Sequence, residues 1–495
     1  MQNHSICAYW CTWNTQNCVA EKREKSREAC VFIGDQGAQL ARAMLNEETV
    51  FGTNGWASMF PDVRKELYLM FDDGWDVPYG VHPDTRRDGF GSLLLNKERF
   101  PFAEGTPAER LQKLNERVKA CGWRGAGVWV AAQKNGEGYD EPFSSRDEEY
   151  WRERILWCKE AKIEYWKVDW GTFAHDNAFR KFLTDSAQEL YPGLTIEHAI
   201  CCPPLNGLEN VTGGEKNAMF GRFGGDEYFA PLTDRALSYS DIFRTYDVLP
   251  HLATATTFDR LAYMLPRAKG YLNAEDELYM AASLGCQMGI MRNEYGADES
   301  GAPNDNNALR EIIAAVNWQR LAPPFFGGDC NVSEEILYDD YAFSVNEVWY
   351  ARANGKTVRQ GAPAIISRNA PLPAVFAGKT GEKPFTAFAD FGNGVCALGI
   401  FRRTVKGRKD YVGGKVVCTL NSKPHIVALF GLADSIELRF SKSAAHVAAQ
   451  SLLGGEEIEI PLPPTGNFIT IDKDFIGKLW KTNDSSAPAI LLKIN

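Results

Sequence analysis

Ile163-Glu164-Tyr165-Trp166-Lys167-Val168-Asp169-Trp170-Gly171 is the stretch whose reading decides the fold. Apolar bulk at Ile163, Tyr165, Trp166, Val168 and Trp170 falls on both parities of an extended chain, which is the pattern of a strand buried on both faces in a parallel sheet. Lys167 and Asp169 interrupt that pattern. Residues two apart in a strand share a face, so both project together near the strand's carboxyl end. Buried charge is costly unless it is paired or used, so this strand end is a candidate site.

Outward from it, the same unit repeats. Residues 147–161 read as an amphipathic helix leading into the strand, and Asn177 to Tyr191 as the helix leaving it. Further strands are predicted at Ser5 to Trp13, Glu66 to Phe71, Gly125 to Ala131, Leu194 to Ala199, Asp241 to Tyr246, Gly270 to Asn273 and Cys286 to Met291. Helices are predicted at Asp35 to Leu45, from a Thr106 cap to Ala120, and at Thr257 to Ala268, Asp276 to Ser283 and Asn306 to Leu321. A long loop covers 77–101, and a Gly-containing insertion runs from Pro203 to Ser238. Eight strands alternating with helices make a (β/α)8 TIM barrel over residues 1–330. After a transitional segment, 331–354, short runs such as VCALGIF (395–401), IVALFGL (426–432) and AILLKI (489–494) predict a C-terminal antiparallel β-sandwich over 355–495. Barrel enzymes carry their chemistry at the carboxyl ends of the strands, where Trp13, Asp72, Asp73, Trp129, Asp169 and Asp247 all fall.

Bulk composition narrows the classes. The 495 residues carry a net charge of -10, which disfavours nucleic acid as a partner. No apolar run is long enough to span a membrane. Thirteen Trp residues suit sugar rings, which stack on aromatic faces. The twelve Cys show no CxxC spacing and the seven His no HxH or HExxH, so no metal and no cofactor are expected. The amino terminus has no basic n-region followed by an apolar segment, so a cytoplasmic location is expected, with a trimmed secreted or periplasmic form as the alternative. A homo-oligomer is compatible with the sequence.

Glycoside hydrolysis needs two carboxyl groups across the scissile bond. Asp169 is the candidate nucleophile, since a nearby cation such as Lys167 favours the ionised form that attacks. Asp247, at the end of the sixth strand beside Arg244, is the candidate acid/base; Glu197, Asp226 and Glu227 are its rivals. Lys167 permits a different chemistry, a Schiff base with a carbonyl substrate, and a non-catalytic sugar-binding barrel is a third reading.

The same residues, in order, resemble the clan D glycoside hydrolases, especially the family 27 α-galactosidases and α-N-acetylgalactosaminidases and the related family 36. The resemblance rests on CTWN (11–14), LYLMFDDGW (67–75), NKERFP (96–101), LQKLNERVKACGWRGAGVWV (111–130), WKVDWG (166–171), FRTYDV (243–248) and LNAEDEL (272–278). It implies a retaining exo-glycosidase acting on terminal galactose-configured glycosides or oligosaccharides, with Asp169 as nucleophile and Asp247 as acid/base. By the same resemblance Asp72 and Asp73 hold O4 and O6, Lys167 reaches O3 and O4, Arg244 the region of O2, and Trp13 and Trp129 wall the pocket. Glu197 is a candidate contact for O2. An α-N-acetylgalactosaminidase and a β-L-arabinopyranosidase are the alternatives on the same scaffold.

Overall fold

The structure, a computed structural model, describes residues 8–23, 34–81, 89–200, 208–210, 226–245, 253–292, 308–342, 357–405, 408–420, 422–482 and 484–495. Eight short parallel strands form the barrel: β1 (Tyr9–Cys11), β2 (Tyr68–Phe71), β3 (Gly125–Val130), β4 (Tyr165–Val168), β5 (Thr195–His198), β6 (Ile242–Arg244), β7 (Tyr271–Asn273) and β8 (Gly289–Ile290). Their spatial order is β7-β6-β5-β4-β3-β2-β1-β8, and a parallel bridge between Asn273 and Gln287 closes the ring.

The alternation of side chains explains why these strands are apolar on both faces. Tyr9, Cys11, Tyr68, Met70, Tyr165, Ile242 and Tyr271 point inward and form one buried cluster. Trp10, Leu69, Phe71, Val128, Trp166, Ile196 and Phe243 point outward into the layer shared with the helices. Lys167 has the parity of Tyr165, so it belongs to the lumen. The lumen floor is a set of tyrosine rings, with Tyr165 5.5 Å from Tyr9 and 5.6 Å from Tyr68.

The surrounding helices are α1 (Trp13–Arg23), α2 (Gly34–Ala43), α3 (Glu47–Phe51), α4 (Pro107–Ala120), α5 (Glu148–Ala161), α6 (Asn177–Leu190), α7 (Asp226–Leu237), α8 (Ala253–Met264), α9 (Leu278–Leu284) and α10 (Arg310–Leu321). Helix α4 starts where its sequence says it must. Thr106 and Glu109 form a reciprocal capping box, Pro107 opens the first turn, and Leu111, Leu114 and Val118 are buried.

Two local expectations change. Trp13 opens α1 instead of ending a strand, because the Thr12 carbonyl and hydroxyl engage Gln16 four residues on and turn the chain helical straight after Cys11. The stretch taken as an insertion from Pro203 to Ser238 contains the barrel helix α7, with Pro231 inside it. It also contains a short strand, Leu208–Asn210, paired antiparallel with Val358–Gln360 of the C-terminal region.

Beyond α10 the described residues are mainly β-structure from Cys330 onward, with a short helix at Lys473–Leu479, and Cys330–Val332 and Ile336–Ala342 fall within the stretch read as transitional. An eight-stranded sheet and a four-stranded sheet make the sandwich. Its pairing is mixed: Val395–Phe401 runs parallel to Ile426–Gly431, and Gly414–Thr419 parallel to Ser435–Arg439. The chain alternates between the two sheets here, so successive strands of one sheet run in the same direction. In the larger sheet Leu398, Val427, Leu429, Ile490 and Leu492 face the smaller sheet. Their neighbours Ala397, Ala428, Phe430, Ala489 and Leu491 face the barrel core instead. No described helix is long and apolar enough to cross a membrane.

Candidate active site

The parallel register sets Trp129, Lys167 and Glu197 side by side on β3, β4 and β5. Asp169 lies two residues beyond Lys167 on the same face. Its backbone N–H donates to the Val130 carbonyl at 3.0 Å, and its carbonyl accepts from Arg180 at 2.9 Å. Its Oδ2 accepts from the Trp129 indole at 3.0 Å. Its buried Oδ1 accepts no hydrogen bond from the described residues, and faces the Arg244 guanidinium at 3.6 Å. Gly171 at φ 147 makes the exit of β4 possible, since a Cβ there would meet the Ala132 backbone at 2.5 Å.

Asp72 follows β2 and faces the same lumen. Its Oδ2 accepts from Lys167 Nζ at 3.0 Å and from the Cys11 thiol at 2.9 Å, while Oδ1 accepts the Asp73 N–H at 2.8 Å. Asp73 is turned towards α2, where Arg42 grips both its oxygens at 2.8 Å. Burial raises its pKa in spite of that arginine.

A second group of residues lies against the first. Glu197, with 0% exposure, takes hydrogen bonds from Tyr165 at 2.7 Å, Asn273 at 2.6 Å and Tyr9 at 3.2 Å, and Arg244 Nε lies 3.2 Å away. Burial raises its pKa against the opposing charge of Arg244. Glu275, beyond β7, accepts from Arg244 at 2.8 Å and Tyr9 at 2.8 Å, and lies 3.2 Å from Lys167 Nζ. Among the described residues the lumen therefore gathers the carboxyl groups of Asp72, Asp169, Glu197 and Glu275 around two cations, Lys167 and Arg244.

Lys167 is clamped between two carboxylates, Asp72 and Glu275. Burial alone would lower its pKa, but Asp72, with Glu275 adding to it, outweighs burial and holds the ammonium well above its ordinary range. The Cys11 thiol beside it is pushed up by burial and by Asp72 and stays protonated.

Of the residues singled out in the sequence, Asp72, Trp129, Lys167, Asp169, Glu197 and Arg244 converge on this lumen. Trp13 is half-buried and packs against the inward cluster, and Trp170 stands 5.4 Å from the Trp129 ring and 5.1 Å from Phe90. Asp73 sits beside them but is committed to Arg42. Asp247 lies outside the described residues. Asp226 and Glu227 open α7, and their side chains are outside the described set. His198 is structural, bonded to Arg180 and Thr184 with its pKa driven far down by burial. Sequence reading missed Tyr9, Arg42, Asn273 and Glu275. The available signal for the first and third was parity, since Tyr9 precedes Cys11 by two and Asn273 precedes Glu275 by two. Among the described residues no group of His, Cys, Asp and Glu side chains has the geometry to hold a metal ion.

No family model matches this chain, and no curated protein matches it. Among solved structures, a candidate α-N-acetylgalactosaminidase from Bacillus halodurans C-125 aligns over 99% of this chain and 97% of its own, at 11% identity and TM-score 0.45. The α-galactosidase of Saccharomyces cerevisiae aligns over 99% and 98%, at 10% identity and TM-score 0.40. A Thermotoga maritima α-fucosidase bound to fucose aligns over 99% and 95%, at 10% identity and TM-score 0.37. Likenesses this distant leave the site to be read from its own residues.

Proposed function

We propose that this chain is a retaining exo-glycosidase that removes a terminal α-linked galactose-configured sugar, with Asp169 as nucleophile and Asp247 as acid/base. The observation that carries the reading is the state of Asp169. An indole N–H orients one of its oxygens, while the other is buried without a hydrogen bond at the carboxyl end of the barrel. Without a hydrogen bond among the described residues, and with the Arg244 charge 3.6 Å away, that oxygen keeps a lone pair for an electrophilic carbon. The carboxylate attacks the anomeric carbon, Asp247 gives its proton to the departing glycosidic oxygen, and water then displaces Asp169 while returning a proton to Asp247. Asp72 and Lys167 offer a paired acceptor and donor to adjacent ring hydroxyls, which penalises an epimer that leaves them unpaired.

The position of Lys167 favours this reading over a Schiff-base lyase. A Schiff-base lysine must give up its proton to attack, and Lys167 is held as ammonium between Asp72 and Glu275. Borohydride in the presence of carbonyl compounds is therefore expected to leave Lys167 unmodified.

Release of p-nitrophenol from the α-galactoside, the α-N-acetylgalactosaminide and the β-L-arabinopyranoside tests the class and separates the three sugars. Failure to cleave any of them would sink the proposal. Asp169→Ala is expected to lose turnover by several orders of magnitude, with azide restoring release and yielding the glycosyl azide of inverted configuration. Ordinary turnover in that variant would move the nucleophile elsewhere.

A further inference from the structure

Glu275 takes no step in the chemistry proposed above, yet its carboxylate joins three strands. It lies two residues past β7, where the Ala274 N–H bonds the Gln287 carbonyl and the Asp276 N–H bonds the Gly289 carbonyl. Asp276 then takes the left-handed conformation, with φ 57. For a residue with a Cβ that turn persists only where surrounding contacts fix it. Here the Asp276 carboxylate accepts the Met291 N–H at 3.2 Å, and Arg292 lies 3.4 Å away. The kink aims Glu275 back into the lumen, where only 4% of its side chain is exposed.

Inside, Oε1 accepts from Tyr9 on β1 at 2.8 Å and lies 3.2 Å from Lys167 on β4, and Oε2 accepts from Arg244 on β6 at 2.8 Å. Those two cations are the ones that face Asp72 and Asp169. Lysine ends a flexible four-carbon stem, and one salt bridge to Asp72 leaves its rotation open. A second carboxylate on the opposite side closes it.

We propose that Glu275 is a positioning residue that holds Lys167 and Arg244 in place for the sugar hydroxyls, without itself touching the reacting atoms. The idea rests on the glycosidase reading for its kinetic readout but not for its physical one. The groups around the ammonium are Cys11 and the Tyr9 ring from β1, Asp72 beyond β2, Asp169 on its own strand, Glu197 from β5, Arg244 from β6 and Glu275 itself. Asp72 and Glu275 are the carboxylates within salt-bridge distance of Lys167 among the described residues. Removing the charge of Glu275 therefore lowers the Lys167 pKa. The ammonium then titrates at a lower pH.

Two variants separate position from charge. Glu275→Gln keeps the length and removes the charge; it is expected to raise KM about tenfold with kcat changed less than about threefold, and to lower the alkaline titration of Lys167, followed by its Cε chemical shift, by about one pH unit. Glu275→Asp keeps the charge, so it is the variant that folds if the first does not. It retracts the carboxylate, and should raise KM while lowering the Lys167 titration less than Glu275→Gln does. Wild-type KM in Glu275→Asp, or an unmoved Lys167 titration in a folded Glu275→Gln, would overturn the proposal. Should the wild-type protein cleave no glycoside, the glycosidase reading fails but this one is still decided. Lysine Cε chemical shifts followed through alkaline pH then report whether Lys167 titrates lower in Glu275→Gln than in the wild type, and equal titration refutes it.

Discussion

Several carboxyl groups are buried in the upper barrel, and the consequences differ from one residue to the next. Asp72 and Asp169 face donors in the lumen. Asp76, just past Asp73, has long contacts to Ser92 Oγ at 3.4 Å and to the Leu93 N–H at 3.3 Å, while its Oδ1 has no hydrogen-bond partner among the described residues. Burial, reinforced by the nearby charge of Asp73, pushes its pKa up to about 7. The sign follows from linkage: a carboxyl raised in the folded state favours folding while it is protonated, and that contribution disappears as pH rises from the unfolded value near 4 through 7. Asp76→Asn cannot titrate. Between pH 4 and 8 the wild-type protein should therefore lose on the order of a few kcal/mol relative to the variant, read as converging or crossing denaturant midpoints. A constant difference between the two proteins across that range would rule out a titrating Asp76. Nothing in the sequence distinguished Asp76 from an ordinary turn aspartate, because its state is set by the packing of the Ser92 and Leu93 loop over it.

Strands were readable because their code is local: apolar residues on both parities, then a charged residue at the carboxyl end, as in Tyr165 to Asp169. The Thr106 box was readable for the same reason. Helix α7 was hidden by the polar, Gly-containing segment before it and by Pro231, and Glu275 by its place in the acidic run AEDE, which reads as the start of a helix. The commitment of Asp73 to Arg42 depends on how α2 packs over β2, and no sequence spacing encodes that. The exits of β3 and β4 show how closely an element boundary is fitted to the site. The Ala132 N–H bonds the Trp170 carbonyl at 2.7 Å, the Phe173 N–H bonds the Ala132 carbonyl at 2.7 Å, and Gly171 crosses between them in a conformation that favours glycine. Gly171→Ala would drive a Cβ into that backbone, so the two strand ends must part, taking Trp170 and Asp169 with them. A loss of about 1–3 kcal/mol in stability is expected. The fall in kcat should exceed what the folded fraction accounts for, measured well below the melting temperature. Wild-type kcat in a folded Gly171→Ala protein would show that Asp169 does not depend on this crossing.

The barrel and the β-sandwich share one apolar interior, which makes the molecule three layers: helices α8 to α10, the larger sheet, and the smaller sheet. Alternation along Ile426–Gly431 shows the division, with Val427 and Leu429 turned to the sandwich and Ala428 and Phe430 to the barrel. Phe430 lies 4.8 Å from the Tyr279 ring of α9 and 6.1 Å from Trp318 of α10, and Phe401 lies 5.6 Å from Phe258 of α8. Polar bonds run alongside. The Ala487 N–H donates to Glu311 at 2.7 Å, Glu311 holds Arg292 at 2.7 Å, and Arg292 reaches Asp276, the kink that aims Glu275. An interface this dry and continuous couples the unfolding of the two parts, since exposing the sheet strips cover from α9, whose residues are buried throughout. Phe430→Ala isolates that coupling because it removes a large ring from the interface and touches no lumen residue. It should cost about 3–5 kcal/mol. Calorimetry should give one transition in both proteins, shifted to lower temperature in the variant, with kcat near the wild-type value at low temperature. Two separable transitions, only one of them shifted, would mean that the sandwich is an appendage and that the barrel holds its site without it.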